Sequence, residues 1–123
     1  MNESGFISKV HKKLLKAVYK VKFSDRYAGG VPDCWYSGPG GDLWVEYKYQ
    51  EIAGHKPNLS DLQKRWLIDR HAEGRSVACV VGTPEGVIIY EGTDWLQHRQ
   101  YVLTPFADYI TWIQKKTCSE SPS

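Results

Sequence analysis

Leu43 to Gln50 alternate at period two, with Leu43, Val45, Tyr47 and Tyr49 on one side of the chain and Trp44, Glu46, Lys48 and Gln50 on the other. Successive side chains of a strand point to opposite faces. The spacing therefore predicts a β-strand from Leu43 to about Tyr49, with Glu46 and Lys48 as neighbours on one face. A short strand from Asp33 to Tyr36 precedes it, and "SGPGGD" supplies the turn of a hairpin. That glycine-rich stretch is not a phosphate cradle, because no Lys-Ser/Thr follows and it opens a strand rather than a helix. Asp33 then reaches Glu46 on the partner strand only through a bulge or bend in the register.

The other elements follow from the same periodicities. Phe6, Ile7, Val10, Leu14 and Ala17 share one arc of an amphipathic first helix, with Lys9, Lys12, Lys13, Lys16 and Lys20 on another. Glu3 projects from the apolar stripe, where an unpaired carboxylate is costly unless it serves the helix dipole or stays in water. A first strand begins at Tyr19, with Tyr19, Val21 and Phe23 set against Lys20 and Lys22. Ser60 followed by Gln63 fits a capping box opening a helix from about Asp61 to Glu73, which Gly74 stops. "SVACVVG" reads as a buried strand and "GVIIYEG" as another across the "TPEG" turn. Thr104 and Pro105 start a last helix with the stripe Phe106, Tyr109, Ile110 and Ile113. The order α-β-β-β-α-β-β-α gives a compact α/β domain over residues 1–116, with a frayed tail at 117–123.

With 123 residues, 41% of them hydrophobic, the chain has the size and composition of one ordinary globular domain. No window approaches the roughly 20 apolar residues that span a bilayer, and the start lacks a signal-peptide core, so a cytoplasmic protein is expected. Cys34, Cys79 and Cys118 are widely spaced and the four histidines scattered, which disfavours a zinc centre. Net charge is only +2, yet residues 1–22 hold six lysines against one acid. Such asymmetry suits an anionic partner, and equally a solvated helix face.

Two carboxylates brought within a few Å repel unless a proton or cation lies between them, and a hard divalent ion is the common resolution. Magnesium (Mg2+), with manganese (Mn2+) as substitute, is therefore expected at Asp33 and Glu46. Such an ion serves phosphoryl hydrolysis by polarising a phosphate oxygen and lowering the pKa of a bound water, while a lysine offsets developing negative charge. Taken alone, Glu46 and Lys48 are more simply an exposed ion pair contributing little.

The combination changes that balance. "GVPD", twelve further residues and then "EYK" resemble the PD-(D/E)XK nuclease superfamily, in particular its VRR-NUC members and the Holliday-junction resolvases of phages and archaea. The resemblance runs from Glu3 to about Gly82. It implies a restriction-endonuclease-like mixed sheet flanked by helices, with Asp33 and Glu46 as metal-binding carboxylates and Glu3 as the helical acid that supports a metal or its bound water. It further implies Lys48 as the catalytic lysine, Gln63 as the helix glutamine, and the Tyr47 backbone carbonyl as a further metal ligand. The capping box explains Gln63 equally well, and a side chain bonded to backbone has little reach left for phosphate.

The expected activity is Mg2+-dependent cleavage of branched DNA such as Holliday junctions. Lys9, Lys12, Lys13 and Lys16, with His55 and Lys56 of the "GHKPN" loop, would track phosphates. Trp35, Tyr36 and Trp44 beside the carboxylates would either stack on unpaired bases or pack under the sheet. A homodimer matches a two-fold junction, with Trp95, Tyr101, Tyr109 and Trp112 as interface or core. A phage-encoded source fits so compact a chain. The competing expectation is a noncatalytic nucleic-acid-binding module that keeps the fold.

Overall fold

The computed structural model describes residues 1–23, 29–97 and 100–118. Its elements are α1 (Glu3–Lys13), β1 (Tyr19–Lys22), β2 (Cys34–Gly38), β3 (Gly41–Tyr49), α2 (Asp61–Ala72), β4 (Val77–Thr83), β5 (Gly86–Glu91) and α3 (Phe106–Cys118), with a 3-10 turn at Asp94–Leu96. The five strands form one mixed sheet in the order β1-β2-β3-β4-β5, parallel only between β3 and β4. A parallel pair needs a crossover, and α2 provides it.

Each face of the sheet builds its own core. Leu43, Val45 and Tyr47 of β3 pack with Phe6, Ile7 and Val10 of α1 and Tyr109, Ile110 and Ile113 of α3. On the opposite face Leu67 of α2 packs with Cys79 and Val81 of β4, Ile88 and Tyr90 of β5, and Trp95. β4 is buried along its whole length, as a continuous apolar run requires.

Three expectations shift. α1 stops at Lys13, so Ala17 is exposed and Val18 closes the core instead. α3 runs on to Cys118, because the buried Thr117 hydroxyl donates to the Ile113 carbonyl at 2.9 Å and the Gly40 N–H to the Thr117 carbonyl at 2.7 Å. The start of the expected tail is thus helical, and its remainder, 119–123, lies outside the described residues. Of the four aromatics considered for an interface, Trp95 and Tyr109 are core residues and Trp112 stacks on Tyr109, which leaves Tyr101 as the exposed ring.

Tyr36, one of the three aromatics placed beside the carboxylates, is buried on the α1 side. Its hydroxyl lies 2.7 Å from that of Tyr47, which lies 2.6 Å from that of Tyr109. His11 Nε2 closes this row at 2.9 Å from Tyr36. Burial, then the nearby Lys20 and Lys22, lower the His11 pKa, so a neutral imidazole ends the row.

Candidate active site

The hairpin loop is the two residues Pro39 and Gly40, with Gly38 opposite Gly41 and Cys34 opposite Val45. Continuing that ladder by one residue sets Asp33 opposite Glu46. Cross-strand partners share a face, and Asp33 itself lies in a bend just outside the ladder, so the carboxylates meet through a bend, one of the two routes expected from sequence. Beyond Cys34 the ladder ends, and Asp33 Oδ2 accepts the Tyr47 N–H at 2.8 Å in place of a further strand bond. The N–H and C=O of one strand residue face the same side, so the Tyr47 carbonyl lies along the edge that Asp33 occupies.

Glu46 is only 2% exposed. Its Oε2 accepts from Gln63 Nε2 at 2.8 Å and lies 3.7 Å from Lys48 Nζ, while Oε1 is buried and meets no partner among the described residues. Burial first, and then the neighbouring Asp33 carboxylate, push its pKa up to about 8, against the pull of Lys48. These are the features that a hard cation would relieve: an orphaned buried oxygen and two acids whose joint ionisation is unfavourable. Among the described residues, however, no three His, Cys, Asp or Glu side chains are grouped to hold an ion. The side-chain donors that fit are therefore Asp33 and Glu46.

Glu3 stands outside that pair. It lies exposed in the first turn of α1, its pKa raised by partial burial and by Asp33 and lowered by Lys48, so it faces the same end of the sheet without joining the carboxylates. The neighbouring Ser4 hydroxyl accepts from Lys22 Nζ at 3.1 Å. Gln63 does join, and it does so while capping its helix. Its Oε1 accepts from the Ser60 N–H at 2.9 Å, its own N–H donates to Ser60 Oγ at 3.1 Å, and Nε2 remains free for Glu46. The amide has two ends, and the capping role occupies only one.

Gly30 is a site determinant that sequence reasoning passed over. It sits at φ +87°, and a Cβ there would lie 2.3 Å from the Leu62 carbonyl oxygen. Only glycine lets the loop before Asp33 approach the first turn of α2 so closely, which delivers Gln63 to Glu46. Its signal was the "GG" before "VPD", which marks a strand break and also fits a close backbone approach.

The basic residues are dispersed. Lys9, Lys12, Lys13 and Lys16 are exposed, and Lys9 sets its ammonium 4.3 Å from the centre of the Phe106 ring, in the α1/α3 layer. His55 and Lys56 are exposed on the loop after β3, whose His55 carbonyl accepts from Gln50 Nε2 at 2.7 Å.

No protein-family model matches the chain, and no curated protein matches it in sequence. Among solved structures the fold is similar to that of Hjc, a Holliday junction resolvase from the archaeal hyperthermophile Archaeoglobus fulgidus. The match covers 72% of each chain with a TM-score of 0.52 at 12% sequence identity. At that identity the likeness is one of fold: a mixed five-stranded sheet with flanking helices in the order read from the sequence. No described helix is long and apolar enough to cross a membrane.

Proposed function

We propose that this chain is a divalent-metal-dependent endonuclease that hydrolyses phosphodiester bonds in branched DNA, with Mg2+ as its ion and Mn2+ as an effective substitute. One observation carries the proposal: Glu46 is buried near Asp33 and beside Lys48, with one oxygen unmet among the described residues. Asp33, Glu46 and the Tyr47 carbonyl would hold the ion, which when bound supplies a polarised phosphate oxygen and a water of lowered pKa.

The chain's own groups do the rest. Gln63 fixes Glu46 Oε2 and so leaves Oε1 as the free ligand atom. The Tyr47 N–H fixes one oxygen of Asp33 in the same way. Lys48, its side chain 21% exposed, is able to swing from Glu46 to a phosphate oxygen and hold it as negative charge builds. Glu3, close enough to feel the charges of Lys48 and Asp33, would support the ion or its bound water from the first turn of α1. Lys9, Lys12, Lys13 and Lys16, with His55 and Lys56 on the loop after β3, would contact phosphates at separate exposed points without reading bases. The resemblance in sequence and the fold shared with a Holliday junction resolvase favour branched DNA, and a two-fold junction favours a homodimer.

The test presents the purified protein with labelled four-way, flap, nicked and linear DNA in Mg2+, Mn2+ or EDTA, alongside its mass in solution. Cutting of branched DNA that stops in EDTA supports the proposal. Equal binding in all three conditions with no cutting in any identifies a noncatalytic binding module.

A further inference from the structure

The face of the sheet that carries Asp33 and Glu46 continues into a chain of aromatic rings. Trp35 and Trp44 are a cross-strand pair in the next row of the hairpin, about 7 Å along the strands from the carboxylates. Their ring centres are 5.8 Å apart. Tyr19 of the edge strand β1 extends the row at 5.7 Å from Trp35 and is 61% exposed. Phe23, whose N–H donates to the Asp33 carbonyl at 2.8 Å, stacks on Trp44 at 5.9 Å and 11°. Trp66 of α2 closes the inner end at 5.2 Å from Trp44, with the Arg70 guanidinium 5.8 Å from its ring.

Among the described residues the inner rings of this row are the better covered. Trp44 and Trp66 join the α2 core, whereas Trp35 is half-buried and Tyr19 lies open on an edge strand. Cations stand on two sides of it, Lys48 beyond the carboxylates along the strands and Arg70, paired with Glu73, beside Trp66 at the inner end. A partly open row of rings on the face of the candidate site, with one cation beside that site and another at the row's inner end, matches one occupant: a single nucleic-acid strand whose bases stack while its phosphates pass the charges. A paired duplex keeps its bases inside and offers these rings nothing to stack on.

We infer that Tyr19 and Trp35, backed by Trp44, form a stacking platform for the unpaired bases of single-stranded DNA, so that the enzyme prefers branched substrates bearing a single-stranded arm over fully paired ones. This rests on the nuclease proposal for its meaning, but its test does not need cleavage.

Binding is measured in EDTA with fluorescein-labelled oligothymidine, a splayed-arm fork and a fully paired four-way junction. Tyr19→Ala weakens oligothymidine and fork binding about tenfold and leaves the paired junction within about twofold, whereas Tyr19→Phe keeps wild-type affinity. Trp35→Leu acts in the same direction, and if it fails to fold, the exposed Tyr19 variants decide alone. Fork affinity unchanged in Tyr19→Ala overturns the platform, and a lowered Tm with that unchanged affinity shows rings that only pack. Ring-dependent fork binding by a protein that never cuts in Mg2+ overturns the nuclease proposal and not this one. Cleavage of branched DNA with ring-independent binding does the reverse.

Discussion

On the α1 side of β3 the Tyr47 hydroxyl sits between those of Tyr36 and Tyr109 at 2.7 and 2.6 Å, and on the α2 side the adjacent Glu46 leaves Oε1 with no partner among the described residues. Both side chains are almost fully buried. A closed row of hydroxyls rigidifies a core, whereas an unmet buried carboxylate oxygen is costly and asks for an explanation. The two faces are one backbone, so the tyrosine row fixes the register at which Asp33 and Glu46 meet. Satisfied polar packing behind the strand offsets the cost of the acids in front of it.

The comparison breaks most visibly if the front face turns out to be structural. Lys48→Ala and Asp33→Asn should each lower the rate of DNA cleavage about 10²–10³-fold in single-turnover assays, with Tm little changed. Both variants cutting at the wild-type rate would remove the site assignment. The back face should show the opposite pattern. Tyr47→Phe leaves the Tyr36 and Tyr109 hydroxyls each short of a buried partner and should cost about 1–3 kcal/mol in urea unfolding, with a smaller loss of activity. An unchanged midpoint would mean that the row does not hold the strand.

Acidity sharpens the contrast further. The folded-state pKa of Glu46 is raised from 4.5 to about 8, so the native state holds this proton more tightly than the unfolded chain does. Its contribution to stability is intact below pH 4.5 and is lost as pH rises toward 8. Glu46→Gln removes the titration while leaving an oxygen for Gln63 to donate to. In EDTA the variant should therefore gain on the wild type as pH increases from 5 to 8.5, by about 1–2 kcal/mol at the upper end, allowing for the lost Lys48 contact. Parallel stability curves for the two proteins would show that Glu46 is ionised without penalty.

Much of this was legible in the sequence. The period-two run Leu43–Gln50 has one reading as a strand, and the faces it assigns to Glu46, Lys48 and Tyr47 are those observed. The element order followed from equally local signals, such as the Ser60/Gln63 box. What was left open depended on loop length rather than composition. "SGPGGD" permits several turns, and the two-residue Pro39–Gly40 loop sets the register that, with the bend at Asp33, brings that residue to Glu46. The tyrosine row was invisible because positions 36, 47 and 109 are joined only by the fold, and hydrophobic patterning treats a tyrosine as an apolar residue without asking where its hydroxyl goes. The close approach at Gly30 was hidden for the same reason: its partner, Leu62, lies more than thirty residues away.

Gln63 is where local and tertiary signals overlap, and the smallest of the expected effects tests whether they are separable. Ser60→Ala removes the acceptor of the Gln63 N–H and should cost about 1 kcal/mol, the usual loss of a helix cap. The Gln63 amide would still bridge the Ser60 N–H and Glu46, so cleavage should stay within roughly threefold of wild type. Gln63→Glu is the complementary change. Glutamate serves at this capping position as well as glutamine, but it has no N–H to give Glu46 and adds a third carboxylate to the cluster. Its helix should remain capped while cleavage falls further than in Ser60→Ala. If Ser60→Ala slows cleavage as much as Gln63→Glu does, the cap alone explains Gln63, and its hydrogen bond to Glu46 is incidental to the site.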